Sequence, residues 1–158
     1  MPKKTYTQIS SITLAAASGS VTFSSIPQNF RDLVVNVVIL GLTGSPTTRD
    51  SYLSLNGSGG SSIFMYSAGS GVSGTRAEIH VPYGPYQNMT NLQIMDYSAI
   101  DKHKTILQRT GSASNVDWAI ASRWPDTAAV TSITFNAPDS GTRTFTAGST
   151  FTLYGIEA

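Results

Sequence analysis

The sequence contains no cysteine. That rules out a disulfide scaffold, a thiol nucleophile and thiolate-bound zinc, and it leaves the compartment open. Charge is scarce too: ten Lys and Arg stand against nine Asp and Glu, 12% of 158 residues, for a net charge of +1. No basic block offers an electrostatic footprint for nucleic acid or an anionic membrane. Histidine occurs only at His80 and His103, so imidazole chemistry has few places to be. No apolar run is long enough for a membrane span, and none of signal-peptide length follows Lys3 and Lys4. The expectation is a chain made and assembled in a cytoplasm. No long segment carries the helical apolar period, so helices are not expected either.

Ser, Thr, Gly and Asn take over the solubilising role. A polar but nearly uncharged surface suits extracellular or virion β-proteins and subunits that pack against neighbours. The longest apolar run, Phe30 to Leu42, is dominated by β-branched residues and closed by Gly41, Gly44 and Pro46. Such side chains fit a pleated sheet better than a helix, so the run reads as a central strand buried on both faces or nearly so.

Around it the chain breaks into short strands with turn signals between them. Tyr6–Leu14 and Val21–Phe23, joined across Ala15–Ser20, read as a hairpin. Tyr52–Leu55 stops at Asn56-Gly57, a strong turn dipeptide. The Gly/Ser-rich stretch 56–74 reads as a long surface loop pinned by Ile63-Phe64-Met65-Tyr66. Ala77, Ile79 and Val81 alternate with Glu78 and His80, and Leu92 and Ile94 with Gln93 and Met95. Asp101–Lys104 reads as a solvated turn before Thr105–Thr110. Strands at Val116–Trp124, Val130–Asn136, Arg143–Thr146 and Thr150–Ile156 complete an all-β, antiparallel β-sandwich, with a jelly roll as the first choice. Residues 1–7 are assigned to an N-terminal arm and 8–158 to a single domain.

Chemistry is hard to find in this pattern. Glu78 and His80 share a strand face and could share a proton or a metal, but a polar outward face is the simpler reading. Asp96, Asp101 and His103 lack recognised ligand spacing, and their lysine neighbours favour a solvated turn. No nucleophile elbow, phosphate loop or metalloprotease helix is present. The chain is therefore read as a non-enzyme without metal or cofactor. Asn56-Gly57-Ser58 and Asn88-Met89-Thr90 match the glycosylation sequon and are discounted without a secretory signal. Trp118, on the apolar face with Val116 and Ile120, reads as core. Trp124, between Arg123 and Pro125, is placed at a rim. Interface positions are expected at Tyr6, at Phe64 and Tyr66 in the Gly/Ser loop, at Tyr83 and Tyr86, and at Arg123 with Trp124.

Several blocks carry a resemblance: Ile12-Thr13-Leu14, Val21 through Val35, Leu53-Ser54-Leu55-Asn56-Gly57, and Ala147 through Ile156. In this order they resemble a pattern of small β-sandwich structural proteins of tailed bacteriophage virions. The matched positions form core and turns, so no catalytic residue follows from them. The resemblance implies a capsid decoration (cement) protein that binds the major capsid protein as a homo-oligomer such as a trimer, on a virion assembled in the host cytoplasm. Nucleic acid and membrane are not expected as partners. The alternative is a tail or fibre-associated domain that binds a host-surface glycan through exposed aromatics, Trp124 and Tyr83 first.

Overall fold

The strand over Asp32–Ile39 lies inside the larger of two antiparallel sheets, as its β-branched composition predicts. Leu33, Val35, Val37 and Ile39 point inward and are at most 1% exposed. Burial on both faces holds only at one end. Val34 and Asp32 on the opposite face are buried, whereas Asn36 and Val38 are half-buried. The computed structural model describes residues 4–43, 50–57, 63–67, 70–74, 77–80, 87–113, 118–138 and 143–157, with backbone only for residues 50, 63–67, 70–74, 77–80 and 118.

Numbered in chain order, the strands are β1 (Tyr6–Thr13), β2 (Ser20–Phe23), β3 (Asp32–Ile39), β4 (Asp50–Leu55), β5 (Ile63–Ser67), β6 (Ser70–Gly74), β7 (Ala77–His80), β8 (Asn88–Met95), β9 (Lys104–Ser112), β10 (Trp118–Trp124), β11 (Ile133–Asn136) and β12 (Thr150–Ile156). Six form one sheet in the order β1-β12-β3-β8-β9-β10, and four form the other in the order β2-β11-β4-β7. The chain is an all-β, antiparallel β-sandwich. The first four strands alternate between the sheets, and so do β10, β11 and β12.

Two expectations fail here. Tyr6–Leu14 and Val21–Phe23 are not a hairpin: β1 pairs with β12, and β2 pairs with β11 in the opposite sheet. The physical reason is that Ile12 and Leu14 pack on the core from one side, while Val21 and Phe23 meet it from the other. The segment 15–19 therefore passes between the layers, held by the Ser18 and Phe145 backbones, which exchange hydrogen bonds of 3.1 and 2.8 Å. Nor is 56–74 one long loop, because β5 and β6 pair antiparallel within it as a two-stranded ribbon, with β5 lying beside β10.

The two sheets enclose one hydrophobic core. Val21, Phe23, Leu53, Leu55, Ile133 and Phe135 come from the smaller sheet, facing Leu33, Val35, Val37, Leu92, Ile94, Phe151 and Leu153 from the larger. A file of aromatic rings runs through it: Phe23 meets Phe135 edge-on at 6.4 Å, and Phe135 and Phe145 each lie 5.4 Å from Phe151. Such tilted and edge-on pairs each contribute about 0.5–1.5 kcal/mol beyond the area they bury. At one end Phe30 lies on Gly155, where a Cβ would collide with the ring. Tyr97, fully buried, donates its hydroxyl to the Pro27 carbonyl and accepts from the Phe30 N–H at 3.3 Å, which fixes the approach to β3.

Candidate functional site

The four-stranded sheet covers only the inner face of the six-stranded one. The outer face is laid out in registered rows. One row runs from Tyr154 through Val34, Gln93 and Leu107 to Ala121. The next runs from Thr152 through Asn36, Asn91 and Arg109 to Ala119. Strict alternation dictates this, since Leu92, Ile94, Ile106 and Ile120 point into the core and their neighbours must point out.

Alternating heights along the rows produce a groove. Ala119 and Ala121 are short, Val34 is 8% exposed, and the longer Tyr6, Tyr154, Gln93, Leu107 and Arg109 stand around them. The groove has a volume of ≈ 750 Å³, within the roughly 300–1,000 Å³ typical of small-ligand sites. Its amides are already oriented: Asn91 Nδ2 donates to Asn36 Oδ1 at 2.6 Å, and Gln93 Nε2 donates to Asp32 Oδ2 at 3.2 Å. Asp32 itself is buried and also holds Arg31 Nε at 3.2 Å and the Asp96 N–H at 3.0 Å, so its charge is met from several sides. Among the described residues Arg109 is the one Asp, Glu, Lys or Arg residue lining the groove, and none of them forms an ion pair with its guanidinium. Beyond the groove, Met89 (56% exposed) and Met95 (37%) stand on the same face.

Of the expected interface residues, Tyr6 and Arg123 reach this face. Tyr6, opposite Ile156, is exposed at one edge and forms the first residue of β1 rather than part of an arm. Arg123, opposite Thr105, is exposed on β10, the last strand in the hydrogen-bonded order. Phe64 and Tyr66 lie on β5, opposite Ser73 and Gly71, and their side chains fall outside the described residues. Tyr83 and Tyr86 fall outside them altogether, as does the side chain of Trp118.

Trp124 is a correction. It is 2% exposed and belongs to the core, so it is neither a rim residue nor a ligand platform. It shares β10's inward face with Ile120 and Ser122, and the period of two carries it into the interior. Lys104 is a second correction. Asp101, Lys102 and His103 form the exposed turn as expected, but Lys104 is completely buried. Its Nζ donates to the carbonyls of Ala99 (2.7 Å), Lys102 (2.9 Å) and Thr127 (3.0 Å) and lies 5.8 Å from the Trp124 ring centroid. Burial pulls its pKa below the ordinary lysine value, against the upward pull of Asp126, Asp101 and Asp96.

Sequence reasoning passed over Met89, Met95, Leu107 and the groove amides. The signal was present in the outward positions 89, 91, 93 and 95, which carry Met, Asn, Gln and Met instead of charges. Among the described residues no group of three or more His, Asp or Glu could hold a metal ion, and Asp96 sits 3.7 Å from the Lys102 ammonium. The side chains of Glu78 and His80 lie outside the described residues. Asn88 of the second sequon is buried and accepts from Thr90 Oγ1 at 3.0 Å, a placement that shuts out a glycan. The groove's donors, acceptors and aromatic rings equip it for non-covalent recognition. No protein-family model matches the chain, and no curated protein matches it either.

Proposed function

We propose that the chain is a non-catalytic structural protein of a tailed-phage virion: a decoration protein that binds the major capsid protein, stabilises the head and works as a homo-oligomer. The observation that carries this reading is the outer face of the six-stranded sheet, which no second sheet covers among the described residues and where Tyr6, Met89, Met95 and Leu107 stand exposed among polar side chains that include few charges. Met, Tyr and Arg are favoured at the centres of protein interfaces, and charge is depleted there. The block resemblance at Ile12–Leu14, Val21–Val35, Leu53–Gly57 and Ala147–Ile156 supports the virion assignment. Under the same proposal the alternation of strands between sheets is read as a jelly roll, with β9 and β10 added at one edge and the β5–β6 ribbon inserted.

The experiment is gold labelling of intact virions with an antibody to this protein, followed by heating heads with and without it. Label over the head, and heads that break at lower temperature when the protein is absent, support decoration. Label confined to the tail, or none, removes it. A second reading, a tail or fibre-associated domain that binds a host-surface glycan, is favoured by one specific feature. The groove combines tyrosines with fixed amides at a size suited to a few sugar units. Trp124, buried, has no part in that reading.

A further inference from the structure

We infer that the outer-face groove is a binding site for an acidic oligosaccharide, whose carboxylate pairs with Arg109 and whose hydroxyls are read by Asn36, Asn91 and Gln93. This rests on the glycan reading and deepens it. The length fits first: from β12 across β3, β8 and β9 to β10 there are four strand spacings of ~4.8 Å, about 19 Å in all, room for a short oligosaccharide rather than a single sugar.

The chemistry of the lining selects the class. Sugar hydroxyls both donate and accept, and each amide here keeps hydrogen-bonding capacity after its intramolecular bond is made. Asn91 spends one N–H on Asn36 Oδ1, which leaves its second N–H, its own Oδ1 and the whole Asn36 NH₂ for a ligand. Gln93 spends one N–H on Asp32 Oδ2, which leaves its Oε1. Because these bonds already hold the amides in place, little side-chain freedom is lost when a ligand arrives. Tyr154 at one wall offers an aromatic face to the apolar side of a sugar ring, and its hydroxyl offers a further polar contact.

Arg109 decides between a neutral and an acidic sugar. It is exposed, it is flanked by Asn91 and Ala119 in its row, and among the described residues no carboxylate lines the groove with it. Asp32, on the same outer face, is buried and engaged by Arg31, Gln93 and the Asp96 N–H. A guanidinium left without an anion over a groove of neutral donors is the arrangement that accepts a carboxylate in bidentate fashion. An anionic protein segment would use Arg109 equally well, but it would leave the fixed amides to find partners along an extended backbone. The paired amides and the tyrosine favour the polyhydroxylated ligand.

The test uses the full chain and a printed panel of uronic-acid-bearing, sialylated and neutral oligosaccharides, with calorimetry on the members that bind. The expected result is saturable binding of acid-bearing members, weaker by about tenfold to a hundredfold for their methyl esters. Arg109→Gln brings the acidic member down to the level of its ester, Asn91→Ala weakens both, and the melting curves of both variants overlay that of the parent. Equal affinity for acid and ester, or an Arg109→Gln variant that binds normally, overturns the acidic assignment. Saccharide binding untouched by Arg109→Gln, Asn91→Ala and Tyr154→Ala together overturns the site and leaves the glycan reading standing. No saccharide bound, with purified heads capturing the protein through Leu107, overturns both and assigns the face to a protein contact.

Discussion

Lys104 is the side chain whose surroundings depart furthest from what its type suggests. A lysine is almost never fully buried without partners, and here each ammonium hydrogen has a carbonyl, with the Trp124 ring beside them. The cage ties the turn at Ala99–Lys102 to the segment around Thr127, so one residue closes the end of the sandwich. Lys104→Met would leave those carbonyls without a donor and is expected to lower unfolding free energy by about 2–4 kcal/mol, measurable by urea denaturation. The pH dependence has a defined sign. Burial holds the folded-state pKa below the ordinary 10.5, so between the two values the unfolded chain binds more protons. Stability therefore rises as pH climbs through the depressed value towards 10.5, and this component is missing from Lys104→Met. Tyr97 makes a simpler case. Its hydroxyl serves the Pro27 carbonyl and the Phe30 N–H inside the core, so Tyr97→Phe orphans both and should cost about 1–2 kcal/mol with the fold unchanged by circular dichroism. Neither role was legible in the sequence. Lys104 sits beside charged neighbours that look like a solvated turn, and only the parity of β9 turns it inward.

Strand by strand, the alternation of apolar residues marked where β8, β10 and β12 run, because a half-buried strand must repeat with period two, and an unbroken β-branched run marked β3. Pairing was much less legible. β1 and β2 are neighbours in sequence and carry compatible patterns, yet their partners are β12 and β11, more than a hundred residues away. Nothing local distinguishes a hairpin from a crossover when both bury the same kind of face. The Gly/Ser-rich composition of 56–74 concealed the β5–β6 ribbon in the same way, since strand pairing there does not depend on an apolar stripe. The Asn56-Gly57 turn was read correctly, and the structure adds a second function to it. Both residues have positive φ, 53° and 72°, and the Asn56 side chain reaches across to the segment before β11. Its Nδ2 donates to the Ala129 carbonyl at 2.8 Å, while its Oδ1 accepts from the Thr131 and Ser132 N–H groups at 2.8 and 3.2 Å. Asn56→Gly keeps the backbone conformation and loses this clip, whereas Asn56→Ala loses both. Thermal unfolding should place the glycine variant about 1–2 kcal/mol below the parent and the alanine variant about 0.5–1 kcal/mol lower again. Equal values for the two would mean that the left-handed backbone contributes nothing at this site.

Taken as a molecule, the sandwich spends its apolar residues asymmetrically. The smaller sheet sends Phe23, Phe135, Leu53 and Leu55 inward, while the larger sheet carries apolar side chains on both faces, including Val34, Ile156, Met89, Met95 and Leu107 on the outside. A sheet that needed one buried face only would place charge on the other, as antiparallel sheets commonly do. Exposed methionines on this face instead suit a surface that another molecule covers. The sequence pointed to aromatic residues as contacts because aromatics dominate interface energetics. That rule cannot tell an inward Trp124 from an outward Tyr6 without the register of β10 and β1. A paired experiment separates the two kinds of position. Trp124→Ala removes a core ring and should lower stability by about 3–5 kcal/mol, and any loss of attachment it causes follows from unfolding. Leu107→Asp alters a side chain 41% exposed on the outer face, and its stability should stay within about 0.5 kcal/mol of the parent. If the outer face carries the contact, this folded variant fails to co-sediment with virions in a depletion assay, because burying an unpaired carboxylate at an apolar interface is strongly unfavourable. A folded Leu107→Asp that still co-sediments would move the contact away from the six-stranded sheet, to surfaces around Ile100, which is 77% exposed at the turn beside the Lys104 cage.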